Sequence, residues 1–73
     1  MAAKPTPQER LARRIREIRT AKGMSQMDLV RDYEWTLSHF QKIERGDLDP
    51  RFSTLLKLAD SFGVSVAELL KGL

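Results

Sequence analysis

Helix punctuation is what most constrains this chain. Thr6, Ser25, Thr36 and Ser65 each stand just before a run that can be helical, and Gly23, Gly46 and Gly63 stand just after three such runs. A Ser or Thr in that position accepts a hydrogen bond from an otherwise unpaired first-turn amide, and a glycine after the last turn takes the left-handed conformation that stops a helix. Nothing alternates with the period of two that a strand needs. The spacing therefore predicts five helices in one compact all-α domain over residues 6–73, preceded by a disordered tail at 1–5.

The individual segments follow from the same signals. "TPQE" is a capping box, with Pro7 at the first helical position and Glu9 three residues after Thr6. Leu11, Ile15 and Ile18 then recur at helical spacing, with arginines on the opposite face. Ser25 opens a second short helix with Asp28 at its third position, and Thr36 opens a third, from about Leu37 to Arg45, with Phe40 and Ile43 inward. After the loop "DLDPR", Phe52, Leu55, Leu56, Ala59 and Phe62 form a stripe expected to be the central core helix. "SVAE" is another capping box and starts a last helix carrying Leu69 and Leu70. The expected core comprises Ile15, Ile18, Met24, Leu29, Trp35, Phe40, Ile43, Phe52, Leu55, Leu56, Ala59, Phe62, Val64 and Leu69.

Length and composition narrow the functions. Seventy-three residues make a single small domain. With no cysteine, disulfides and thiolate metal sites are excluded, and no apolar run approaches the roughly 18 residues of a membrane span. A cytoplasmic location is the default expectation. An enzyme has little support: there is one histidine, no glycine-rich phosphate loop and no paired carboxylates in a plausible pocket. No cofactor, metal or small-molecule effector is expected. Charge is uneven: residues 1–45 hold ten basic and six acidic residues, a net +4, while the remainder carries −1. A basic half on a small domain suits an anionic partner, nucleic acid above all, although arginine-rich helices can also be simply solvated.

Two short helices joined by a tight turn and followed by a core helix are a helix-turn-helix arrangement, whose second helix can lie in the roughly 12 Å wide major groove of DNA. Residues 37–45 meet the requirement of an apolar inner face and a polar outer face carrying Ser38, Gln41, Lys42 and Arg45. From Leu11 to Leu70, "IREIRTAKGMSQMDL" and "FQKIERGDLDPRFSTLLKLADSFGVSVAELL" resemble the Cro and phage-repressor type of domain, the xenobiotic-response-element family, without gaps between Ser25 and Gly46.

The resemblance implies roles residue by residue. Leu37, Ser38, Gln41 and Lys42 fall at base-reading positions. Lys42 would donate to guanine, Gln41 and Ser38 would bond base edges, and Leu37 would meet a thymine methyl. Gln26 would bond a phosphate and brace the reading helix. Arg16, Arg19, His39, Arg45 and Arg51 would lie along the DNA backbone. Arg19 and Glu44 match a structural ion pair between the first and third helices, the role favoured for Arg19. Arg13 and Arg14 read as a solvated face. The family usually has glycine where this chain has Glu34, so "YEWT" must either strain Glu34 or make the turn differently.

The expected function is a sequence-specific DNA-binding transcriptional regulator. It would bind double-stranded DNA as a homodimer on a pseudo-palindromic operator, with Val66, Leu70 and Leu73 the best candidates for the dimer surface. No sensor domain is expected after Leu73, and the chain is similar to a small phage-type repressor, a restriction-system controller or an antitoxin. The alternative is a protein–protein interaction module, such as an antitoxin or adaptor, built on the same fold.

Overall fold

The computed structural model describes residues 3–73; Met1 and Ala2, part of the expected tail, lie outside the described residues. Residues 3–6 carry no regular structure. Five helices follow: α1 (Pro7–Ala21), α2 (Gln26–Tyr33), α3 (Leu37–Glu44), α4 (Phe52–Phe62) and α5 (Val66–Leu69), with no strand among the described residues.

The cap residues act as their chemistry demands. Thr6 Oγ1 accepts from the Glu9 amide while the Glu9 carboxylate accepts from the Thr6 amide, closing the capping box of α1. Ser25 and Asp28 do the same for α2. Thr36 and Ser65 accept from the amides of His39 and Glu68. At the other ends, α1, α3 and α4 close in Schellman motifs around positive-φ glycines, as in Gly46 N–H to Ile43 O (3.1 Å) and Asp47 N–H to Lys42 O (3.0 Å). Gly46 has a second reason to be glycine. A Cβ there would lie 3.0 Å from the Glu9 Cα, because the end of α3 presses against the first turn of α1.

α1 packs on α3 and α5, α2 on α3, and α4 on α5. Ile15, Leu29, Phe40, Ile43, Leu58 and Leu69 are the largest fully buried side chains. Two expected core residues are not in it: Phe52 is 67% exposed and Leu56 47% exposed, while Leu58 is buried. Successive residues of a helix are about 100° apart, so α4 has one phase in which Leu55, Leu58, Ala59 and Phe62 share a face. That is the face turned inward, which carries Leu56 past its edge and leaves Phe52 on the exposed first turn. Met24, Leu55 and Val64 pack against the core as partly buried residues, as do Val66 and Leu70 of the expected dimer surface.

Trp35 joins α4 to the rest. Its indole N–H donates to Ser61 Oγ at 2.9 Å, which gives a buried donor its partner, and Ser61 in turn donates to Lys57 O within α4 (2.7 Å). None of the described helices is long and apolar enough to cross a membrane, and no described group of three or more His, Asp or Glu is arranged to hold a metal ion.

Candidate nucleic-acid interface

The start of α2 is fixed by charge as well as by hydrogen bonds. The Ser25 amide beside Asp28, then the Ser25 hydroxyl and Arg31, hold the Asp28 carboxyl below its usual range. A depressed pKa means stability present above the unfolded value and lost as pH falls through the folded one. At neutral pH the cap is therefore fully charged where the N-terminal dipole of α2 favours it.

Glu34, Trp35 and Thr36 form the three-residue link to α3. Of the two turn geometries open to "YEWT", the chain uses the strained one: Glu34 sits at φ 58°, ψ 34°, the sole non-glycine residue with positive φ among the described residues. α3 then lies with Phe40, Ile43 and Glu44 buried beneath it. Leu37, Ser38, His39, Lys42 and Arg45 face solvent, and Gln41 is half-buried.

Arg19 and Glu44 anchor the inner side. Arg19 Nε and Nη2 donate to the two Glu44 carboxylate oxygens at 3.0 and 2.6 Å, and Nη1 donates to Met24 O at 2.9 Å. All three guanidinium nitrogens are thus committed within the protein. The Glu44 side chain is only 4% exposed, so the bidentate geometry is what makes its burial affordable. Arg16 Nη1 adds a bond to Glu44 O at 2.7 Å, at the carbonyl end of α3.

The remaining candidate residues gather around two shallow recesses. One is lined by Arg16, Gln26, Gln41, Glu44 and Arg45. There Gln41 Nε2 donates to Gln26 Oε1 at 3.3 Å, a long bond that ties the first turn of α2 to the middle of α3. Arg45 is exposed and paired to Asp47 at 3.0 Å. The other recess holds His39 and Arg51, together with Leu48, Asp49, Pro50, Ser53 and Thr54. Leu37, Ser38 and Lys42 lie on the exposed face of α3, and none makes a side-chain hydrogen bond to a described residue.

Two features went unread in the sequence. Arg10 and Arg13 line a third recess with Glu9, Arg16 and Arg45, so the exposed face on which Arg13 was expected also carries a cluster of four arginines. Its signal was the i, i+3, i+6 spacing of 10, 13 and 16 on α1. Arg14, also expected to be solvated, donates from Nη2 to Glu68 O (2.7 Å) and Oε1 (3.1 Å) and ties α1 to α5.

A capped helix, a short fixed link and a second helix with a buried inner face and an uncommitted polar outer face define the helix-turn-helix class of DNA-binding domain. The sequence profile of the family described as "Helix-turn-helix domain" matches residues 10–71, and the chain belongs to that family. It is similar to the HTH-type transcriptional regulator DdrOP3 of Deinococcus deserti, with 32% identity over 63 residues, 86% of this chain and 49% of that protein. The chain spans about half the length of the curated relatives it matches. Among solved structures it resembles the restriction-modification controller protein C.AhdI of Aeromonas hydrophila. That match has a TM-score of 0.78 and 34% identity, covering 85% of this chain and 94% of that one. The clp gene regulator ClgR of C. glutamicum superposes with a TM-score of 0.82 at 25% identity, covering 92% of this chain and 87% of that one.

Proposed function

We propose that this protein is a sequence-specific transcriptional regulator that binds double-stranded DNA as a homodimer, with α3 in the major groove. The observation that carries this is the division of α3. Its inner side is fixed by Phe40, Ile43 and the Arg19–Glu44 pair, while Leu37, Ser38 and Lys42 project outward, the last two making no side-chain hydrogen bond to a described residue. A helix that must meet base edges needs such a rigid mount and such free groups.

Lys42 is assigned to guanine O6 or N7, Ser38 and Gln41 to base edges, and Leu37 to a thymine methyl. Gln26 and Arg16, sharing a recess with Arg45, suit a phosphate beside the start of α2. Arg10 and Arg13 continue the positive charge from that recess along α1. On the other flank, His39 and Arg51 suit a second phosphate. Arg19 is assigned the structural role, since each of its three guanidinium nitrogens donates within the protein. The Arg45–Asp47 pair is exposed and of little worth by itself, so a phosphate can take Arg45 from it.

One such domain meets few base pairs, so two copies on half-sites about 34–36 Å apart would supply the specificity. The mostly apolar recess that Leu11, Leu55, Leu70 and Leu73 line together with Arg10 and Asp49 is the surface assigned to the partner copy. Selection of bound duplexes from a random pool, with salt dependence measured on the winner, tests the whole reading. A palindromic consensus is expected, and a pool that emerges without any consensus refutes sequence-specific binding.

A further inference from the structure

The geometry points to Lys57, on α4 and outside the helix-turn-helix unit, as a positioning residue that sets the aim of the reading helix through the turn at Glu34–Trp35. This inference rests on the proposed reading of DNA by α3.

The left-handed turn is held from one side by a single cation. Lys57 Nζ donates to Glu34 O at 3.1 Å. The same ammonium lies 4.4 Å from the centroid of the Trp35 ring, at cation–π distance. Among the described residues it makes no ion pair, so these are the polar contacts of an otherwise exposed side chain. One helical turn further on, Ser61 accepts the indole N–H. α4 therefore grips Trp35 at its face with Lys57 and at its edge with Ser61.

Trp35 passes that grip to α3. Its ring lies 5.7 Å from the ring of His39 and 5.6 Å, edge to face, from Phe40. Both belong to the first turn of α3, the turn that also carries Leu37 and Ser38. A glycine at position 34 would reach positive φ unaided. With Glu34 there, the conformation persists because neighbouring groups over-determine it, and the bond from Lys57 to the Glu34 carbonyl is one that can be removed without opening the core. A surface lysine that merely adds charge would strengthen binding to every DNA alike. A lysine that fixes the angle of α3 changes how well right and wrong sequences are distinguished.

The test compares Lys57→Met, which keeps the stem and removes the charge, with Lys57→Arg, which keeps a cation able to bond the carbonyl and cover the indole. The probes are a duplex selected from a random pool by the wild-type protein and its single-base-pair variants, all at one salt concentration. The ratio of affinities cancels any uniform loss of charge. A single base pair is ordinarily worth about five- to hundredfold, and Lys57→Met is expected to lower that ratio roughly three- to tenfold. Lys57→Arg should restore most of it. Trp35 is the sole tryptophan, so a changed emission spectrum in Lys57→Met and a wild-type spectrum in Lys57→Arg are expected from the free proteins.

An unaltered ratio in Lys57→Met, or an equal loss in both variants, overturns the inference while leaving the DNA-reading function intact. Should Lys57→Met not fold, Lys57→Gln is measured in its place, and unfolding of both means the lysine is structural and the inference is wrong. Absence of discrimination by the wild-type protein itself brings down the underlying function as well.

Discussion

Replacing Glu34 with glycine should make this protein more stable. Glu34 sits at φ 58°, ψ 34°, where a residue with a Cβ is disfavoured by about 1–2 kcal/mol. Glycine removes that strain but widens the unfolded ensemble, which costs about 0.5–1 kcal/mol. The net gain is about 0.5–1 kcal/mol. Little else changes, because the Glu34 carboxylate makes no hydrogen bond or ion pair with a described residue, and the Lys57 bond goes to a carbonyl that glycine retains. For a domain of this size each kcal/mol moves Tm by about 4–8 °C, so Glu34→Gly should melt some 2–8 °C higher by far-UV circular dichroism. Gly63→Ala is the mirror experiment. Gly63 has φ +66° with nothing within 4 Å of the added Cβ, so the change is conformational alone and should lower Tm by several degrees. A Glu34→Gly protein that melts at or below wild type, while Gly63→Ala falls as expected, would refute the claim that position 34 carries strain.

Three further outcomes are expected. Lys42→Ala should cost roughly 1–3 kcal/mol on the best duplex and relax the preference at one base position; equal weakening on all duplexes would make Lys42 a phosphate contact. Arg51→Ala should reduce the slope of log affinity against log salt by about one unit, and an unchanged slope would remove Arg51 from the interface. Glu44→Ala strands the Arg19 guanidinium, whose side chain is 15% exposed, and should cost on the order of 3 kcal/mol in urea denaturation. A loss below about 0.5 kcal/mol would show the pair behaving like one on the surface.

Helix starts and stops were legible because their causes are local. Thr6, Ser25, Thr36 and Ser65 each accept from an amide three residues on and open four of the five helices, while α4 starts after Arg51 without a side-chain cap. The orientation of α4 was not legible. Phe52, Leu55, Leu56, Leu58, Ala59 and Phe62 supply more apolar surface than one face holds, so two helical phases fit the pattern and packing partners chose between them. The turn at Glu34 was ambiguous for a related reason, since Lys57 and Ser61 hold it from more than twenty residues away. Among the candidate site residues, the outer face of α3 could be named from periodicity. Whether Arg10 and Arg13 stood alone or beside Arg45 depended on where the end of α3 comes to rest.

That resting place has a mechanical consequence. The rear of α3 is pressed through Gly46 against the first turn of α1, and its front is held through Trp35 to α4. A rod gripped at both ends cannot change its pitch without carrying the whole body with it. On the proposed function, compliance at the contact must therefore come from the duplex. The stiffness of steps that no side chain touches then becomes part of what the protein selects, and flexible pyrimidine–purine steps between the half-sites should be enriched for mechanical reasons alone.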